Sequence, residues 1–102
     1  DACIADPMPK AASAAVSQAK QCALAIVAAL EGREPPAPAF ESVCYSTLAQ
    51  GSAVSIHGRF LVSDGAIRQA PAPEDAGSVS PAQEAQNAED WYRGVVSDAF
   101  GM

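Results

Sequence analysis

Positive charge is scarce in this sequence. Six Lys+Arg stand against twelve Asp+Glu in 102 residues, giving a formal charge of −6 and a pI of about 4.4. No basic cluster occurs, and no basic stretch is interleaved with aromatics, so a nucleic-acid or anionic-membrane surface is not expected. Large apolar side chains are also scarce. Apolar residues reach 49%, but the excess is alanine, and Leu, Ile, Val, Phe, Met, Trp and Tyr together make up about a quarter of the chain. A core built from so few large groups is thin for a free-standing domain. No uninterrupted apolar run approaches the roughly 18 to 20 residues of a membrane span, the longest being Cys22 to Leu30, so no span is expected. Phosphate-cradling patterns of the GxGxxG or GxxxxGK[ST] kind are absent, as is any nucleophile-elbow sequence around a Ser or Cys. The chain opens Asp-Ala-Cys-Ile-Ala-Asp, without an initiator Met or a basic n-region, and this reads as an internal cut that says nothing about compartment.

Three cysteines, Cys3, Cys22 and Cys44, cannot all pair within the chain, and no two sit at redox or zinc-ligand spacing. A zinc site from these three and His57 is disfavoured, and no metal is expected. His57 itself reads as an exposed strand histidine. Neither Glu74/Asp75 nor Glu89/Asp90 has an apolar setting that would push two carboxyl pKa values apart, so both pairs read as solvated. Taken alone, the chain lacks the parts of a complete enzyme.

What is present predicts an α+β fold: an alanine-rich N-terminal helix, a small antiparallel sheet of about three strands, and a C-terminal helix. Asp6-Pro7-Met8-Pro9 reads as the start of the first helix, with Asp6 as cap, running from about Pro9 to Glu31 until Gly32 stops it. Val16, Ala19, Ala23, Ile26, Val27 and Leu30 recur at three and four and predict one apolar stripe. A proline-rich connector, residues 33 to 39, leads to a strand over Phe40 to Leu48. A second strand over Ala53 to Val62 places Val54, Ile56, Phe60 and Val62 on one face, with Gly58 marking a bulge or close contact. Ser63-Asp64-Gly65 turns into a third strand, Ala66 to Gln69. After a polar loop, residues 70 to 79, Ser80-Pro81-Ala82-Gln83 has the capping-box pattern of a helix reaching about Phe100. In that helix Ala88, Trp91, Tyr92, Val95 and Ala99 predict a buried second half.

Four segments carry a resemblance over essentially the whole chain. Asp6-Pro7-Met8-Pro9-Lys10, Ser17-Gln18-Ala19-Lys20, Cys44-Tyr45-Ser46 and Trp91-Tyr92-(x)7-Phe100-Gly101 together resemble the C-terminal portion of the flavoprotein subunit of flavocytochrome c sulfide dehydrogenases, which are two-dinucleotide-domain flavoproteins. The resemblance implies FAD as cofactor of the complete subunit, not held by this stretch alone. It implies a ribityl contact from Asp1, and backbone around Met8, Pro9 and Lys10 facing the flavin pyrimidine edge. A helix start suits that role because it offers free N–H donors and partial positive charge. Trp91 is expected near the flavin. Cys44 is expected to be catalytic, forming a redox disulfide with an upstream cysteine that sulfide attacks, with electrons passing through FAD to a c-type cytochrome subunit. A periplasmic location follows from the same resemblance alone.

On this reading residues 1–34 are the tail of an FAD-binding domain and residues 35–102 a small flavin-binding α+β domain. Two other readings stay open: a related flavoprotein of a sulfur-oxidising system acting on another substrate, and a non-catalytic acidic interaction or dimerisation domain. Cys3 and Cys22 read as small buried side chains. If the chain folds alone, its first helix is left with an uncovered apolar stripe, which predicts self-association or an altered packing of that helix.

Overall fold

A computed structural model describes residues 4–71 and 79–101. The described elements, in chain order, are helix α1 (Ala12–Leu30), strands β1 (Ala39–Ala49), β2 (Ser52–Ser63) and β3 (Ala66–Gln69), and helix α2 (Pro81–Phe100). The sheet has the order β1-β2-β3. This is the expected α+β arrangement, with strand limits close to those read from the sequence. Local chemistry explains the agreement. Gly51 takes a φ of 73° between β1 and β2, and Asp64 and Gly65 take 53° and 73° between β2 and β3. Two successive positive φ values are what a tight hairpin with the right-handed strand twist requires, and Asp-Gly supplies them cheaply. The β2–β3 ladder then pairs Phe60 with Gln69 and Val62 with Ile67.

Helix α1 begins later than the proline pattern predicts. Met8 N–H donates to Ala5 O at 2.8 Å, so residues 5 to 8 close a turn of their own before the helix starts. That turn drives Met8 into the core at 3% exposure. The N-cap is Ala11, with no side-chain cap, and the expected Asp6 cap is not formed. The other end follows the sequence. Arg33 N–H reaches Ala28 O, Gly32 N–H reaches Ala29 O, and Gly32 sits at φ 70°, a Schellman closure.

The chain divides into two compact units, residues 1–44 with 57–73, and residues 45–56 with 74–102. In the first, Met8, Ala14 and Phe60 form the buried cluster, with Ala5, Phe40 and Ile67 packed against it. Gly58 is a close-contact position, as expected: a Cβ there would lie 2.8 Å from the Phe60 ring and 2.9 Å from Ser42 Oγ. Of the predicted β2 face only Phe60 is buried. Within the second unit the buried β2 residue is Ala53, while Val54 and Ile56 are exposed. Alanine is small enough to be covered completely, and the larger neighbours at the hairpin tip are not.

The buried side of α1 also departs from expectation. Its buried residues are Ser13, Ala14 and Ala28, whereas Ala19, Ala23, Ile26, Val27 and Leu30 of the predicted stripe are exposed and Val16 is half-buried. The contact that fixes the helix is polar. Ser13 Oγ donates to Val43 O at 2.8 Å and accepts from Val43 N–H at 2.9 Å, and Ser17 Oγ accepts from Glu41 N–H at 3.0 Å. Four residues rise about 6 Å along a helix and two residues about 6.6 Å along a strand, so serines four apart match alternate edge amides. They cover the outer edge of β1, which has no neighbouring strand among the described residues. By length and composition alone α1 could cross a membrane, since alanine and the exposed aliphatics raise its hydropathy. Here two of its serines hold a sheet edge.

In α2, Ser80 Oγ accepts from Gln83 N–H at 3.2 Å, Pro81 opens the helix, and Gly101 closes it at φ 69°. The reciprocal half of the capping box is not made, because the Gln83 side chain instead donates to Asn87 Oδ1. The buried residue of the helix is Glu84, in its first turn, while Trp91, Val95 and Val96 are half-buried and Tyr92 and Ala99 exposed. The expected buried second half is therefore corrected: the deepest point lies at the start, next to the capped end.

Candidate functional site

Cys44 lies on β1 as a free, half-buried thiol, in step with Phe40 and Ser42 along the strand. The peptide group that joins Val43 to Cys44 is pinned from outside the sheet, because its carbonyl is the one that accepts from Ser13 Oγ. Ser13 belongs to the first turn of α1, so the start of that helix lies against the strand residue preceding Cys44. No side chain caps this helix start, and no acidic residue occupies its first turn. The result is a cysteine strand held beside a helix N-terminus that, among the described residues, has no side-chain cap and no acidic residue in its first turn.

Met8, Pro9 and Lys10 precede this helix start. Met8 contributes its side chain to the core, and its N–H is already committed to Ala5 O. Pro9 has no N–H. Of the three peptide nitrogens expected to face a ligand, that of Lys10 is left, and Lys10 is exposed. Phe40, which packs against the Met8 cluster, is four residues from Cys44, about 13 Å along an extended strand. The structure thus places the strand residue before Cys44 against the first turn of α1. Asp1 and Cys3 lie outside the described residues. Trp91 lies half-buried on α2, within the second unit.

A groove of about 500 Å³ opens in the first unit between α1, the proline-rich connector and the start of β1. Its walls are mostly apolar, from Ala25, Pro36, Pro38, Phe40 and Ile67, with the Cys22 thiol exposed at one side. Cys22 is therefore not the buried small side chain expected of it: it falls on the side of α1 that the connector leaves open. Gln18 lines the same groove and donates to Met8 Sδ at 3.0 Å.

In the second unit Tyr45 and Glu84 form the other polar pair of note. Glu84 is 6% exposed and its Oε2 finds no hydrogen-bond partner among the described residues. The positive end of α2 offsets part of the cost of burying this carboxylate, since Glu84 sits in the first turn. Burial raises the Tyr45 phenol above its ordinary value, and the Glu84 charge raises it further. Among the described residues no group of three or more His, Cys, Asp or Glu could hold a metal ion.

The family model for the flavocytochrome c sulphide dehydrogenase flavin-binding domain matches residues 36–100. The chain belongs to this family. The match takes in all three strands and α2, and so includes Cys44, Tyr45, Glu84 and Trp91. The protein is accordingly the flavin-binding part of a flavin-dependent oxidoreductase subunit. Ser13 and Ser17 lie before the matched stretch, and neither of them nor Glu84 has a structural role in the sequence reading, where Ser17 figures only in the Ser-Gln-Ala-Lys segment. The available signal was the Ser-x-x-x-Ser spacing on an otherwise alanine face, which suits a sheet edge but is common enough to pass unnoticed.

Proposed function

We propose that this chain is the C-terminal portion of an FAD-dependent sulfide dehydrogenase, with residues 1–34 as the tail of the FAD-binding domain and residues 35–102 as the flavin-binding α+β domain. The observation that carries the reading is the uncapped first turn of α1 beside the cysteine strand. Among the described residues no side chain caps this turn and it holds no acidic residue, and a helix start of that kind suits an electron-rich carbonyl edge, so these residues fit a flavin. When bound, the flavin supplies the conversion of a two-electron donor into one-electron steps. Asp1 would contact its ribityl chain, the Lys10 peptide its pyrimidine edge, and Trp91 its ring region. This stretch alone is not expected to hold FAD.

Cys44 is the residue assigned to chemistry. In the complete subunit it forms a disulfide with an upstream cysteine. Hydrosulfide donates an electron pair to one sulfur of that bridge, a new S–S bond forms, and the other sulfur leaves as thiolate. The substrate sulfur is oxidised and the bridge is reduced. FAD, when bound, would supply the route by which the electrons of the reduced bridge reach a c-type cytochrome subunit, and the same reading assigns the protein to the periplasm.

The test is the visible spectrum of the protein expressed from its complete reading frame, before and after anaerobic sulfide. A flavin spectrum that bleaches is expected. A flavin that ignores sulfide transfers the assignment to another sulfur compound, and absence of flavin overturns the reading. Cys44→Ser in the same protein is expected to slow sulfide reduction of the flavin by about 10²-fold or more, since even a misplaced reacting group costs that much. Unchanged stopped-flow kinetics would remove Cys44 from the reaction.

A further inference from the structure

Ser13 is a buried hydroxyl, 8% exposed, that makes two hydrogen bonds to one residue thirty positions away, and that residue is the neighbour of Cys44. The two bonds differ in what they hold. Accepting from Val43 N–H satisfies an edge amide that no strand among the described residues covers. Donating to Val43 O fixes the plane of the peptide whose nitrogen belongs to Cys44. With that plane fixed, the N–Cα bond of Cys44 is anchored to a helix, and the extended φ that β1 imposes then sets its Cα–Cβ direction. A disulfide tolerates little error in that direction, because its Cβ separation and dihedral fall in narrow ranges. Ser17 makes a weaker tie two residues upstream, one bond to Glu41 N–H at an exposed position.

We propose that Ser13 is a positioning residue for Cys44, locking the Val43–Cys44 peptide to the first turn of α1 so that the thiol is presented in one orientation. The proposal rests on the assignment of Cys44 as the redox cysteine for its functional meaning. The physical hold of Ser13 on Cys44 is tested independently of that assignment.

The measurement uses the chain with Cys3→Ser and Cys22→Ser, leaving Cys44 as its single thiol, and follows its reaction with 4,4′-dithiodipyridine. Loss of both Ser13 bonds is expected to free the strand edge locally, so Ser13→Ala speeds labelling by about fivefold to tenfold. Ser13→Thr, which keeps the hydroxyl, is expected to stay within about twofold of the parent, and so is Ser17→Ala. Equal labelling in Ser13→Ala and the parent overturns the proposal. So does an equal acceleration in Ser17→Ala, which would mean a general loosening of the edge, and so does failure of threonine to restore the parent rate. Amide exchange in the unsubstituted chain provides the check that needs no mutant. Val43 N–H is expected to be protected like a ladder amide, and rapid exchange there overturns the proposal. In the complete flavoprotein, sulfide kinetics unaffected by Cys44→Ser would sink the redox assignment while the labelling result still decides what Ser13 holds.

Discussion

Burial of Tyr45 and the nearby Glu84 charge both disfavour the phenolate, so the folded chain keeps that proton to higher pH than the unfolded chain does. The sign of the linkage follows. A raised folded-state pKa means stability that is fully present below the unfolded value near 10 and is lost as pH rises through the folded value. Urea midpoints between about pH 8 and about pH 11 should therefore fall more steeply for the parent than for Tyr45→Phe. Equal slopes for the parent and Tyr45→Phe would deny the coupling. The pair also shows where reading single residues fails. Glu84 reads as an ordinary first-turn carboxylate, and nothing in the letters says that it is the buried position of its helix. Cys44 stood out only through the company of Tyr45 and Ser46, and Ser13 did not stand out at all, because a hydroxyl that bonds a distant backbone leaves no periodic trace.

At the scale of elements, the boundaries were legible except for the start of α1, and the buried faces were not. Gly32, Gly51, Asp64-Gly65, Ser80-Pro81 and Gly101 all act within a few residues, and the structure uses each of them as a turn, cap or stop. Ser80 gives a direct test. Its hydroxyl accepts from Gln83 N–H, and the reciprocal side-chain bond is missing, so this one contact carries the cap. Ser80→Ala should cost about 1 kcal/mol of stability, and Ser80→Asp should restore most of it. A loss much smaller than that, read from the denaturation midpoint, would mean that Pro81 and the first-turn Glu84 already suffice to start α2. Burial, by contrast, depends on partners that lie far off in the chain. Hydropathy assigns Ile26, Val27 and Leu30 to the inner side of α1, but the strand edge is satisfied by hydroxyls, and Ser13, Ala14 and Ser17 present a surface small enough to approach it. The helix is oriented by hydrogen bonds to backbone, a term that hydrophobic periodicity does not contain.

For the molecule as a whole, that orientation has a consequence in solution. Leu24, Ile26, Val27 and Leu30 are 48%, 55%, 44% and 83% exposed on one helix, and contiguous apolar surface on a soluble chain favours association. The acidic charge of −6 opposes it, but charges held apart from the patch are largely screened at physiological salt, where the Debye length is about 8 Å. The chain on its own is thus expected to self-associate through α1, a second copy covering what the flavoprotein reading assigns to the preceding domain. Sedimentation velocity at several concentrations checks this. The doubly substituted Ile26→Lys, Leu30→Lys chain should run as a monomer with its far-UV circular dichroism unchanged, since neither side chain contributes to the Met8–Phe60 core. A parent chain that is monomeric at high concentration would show that a polar sheet-edge contact and a thin core keep this helix in place without further cover. Association that survives both lysines would move the contact elsewhere, to the hairpin where Leu48 and Ile56 are also exposed. In either case the Ser13 and Ser17 bonds stay inside one chain, so the thiol reactivity of Cys44 should not change with protein concentration.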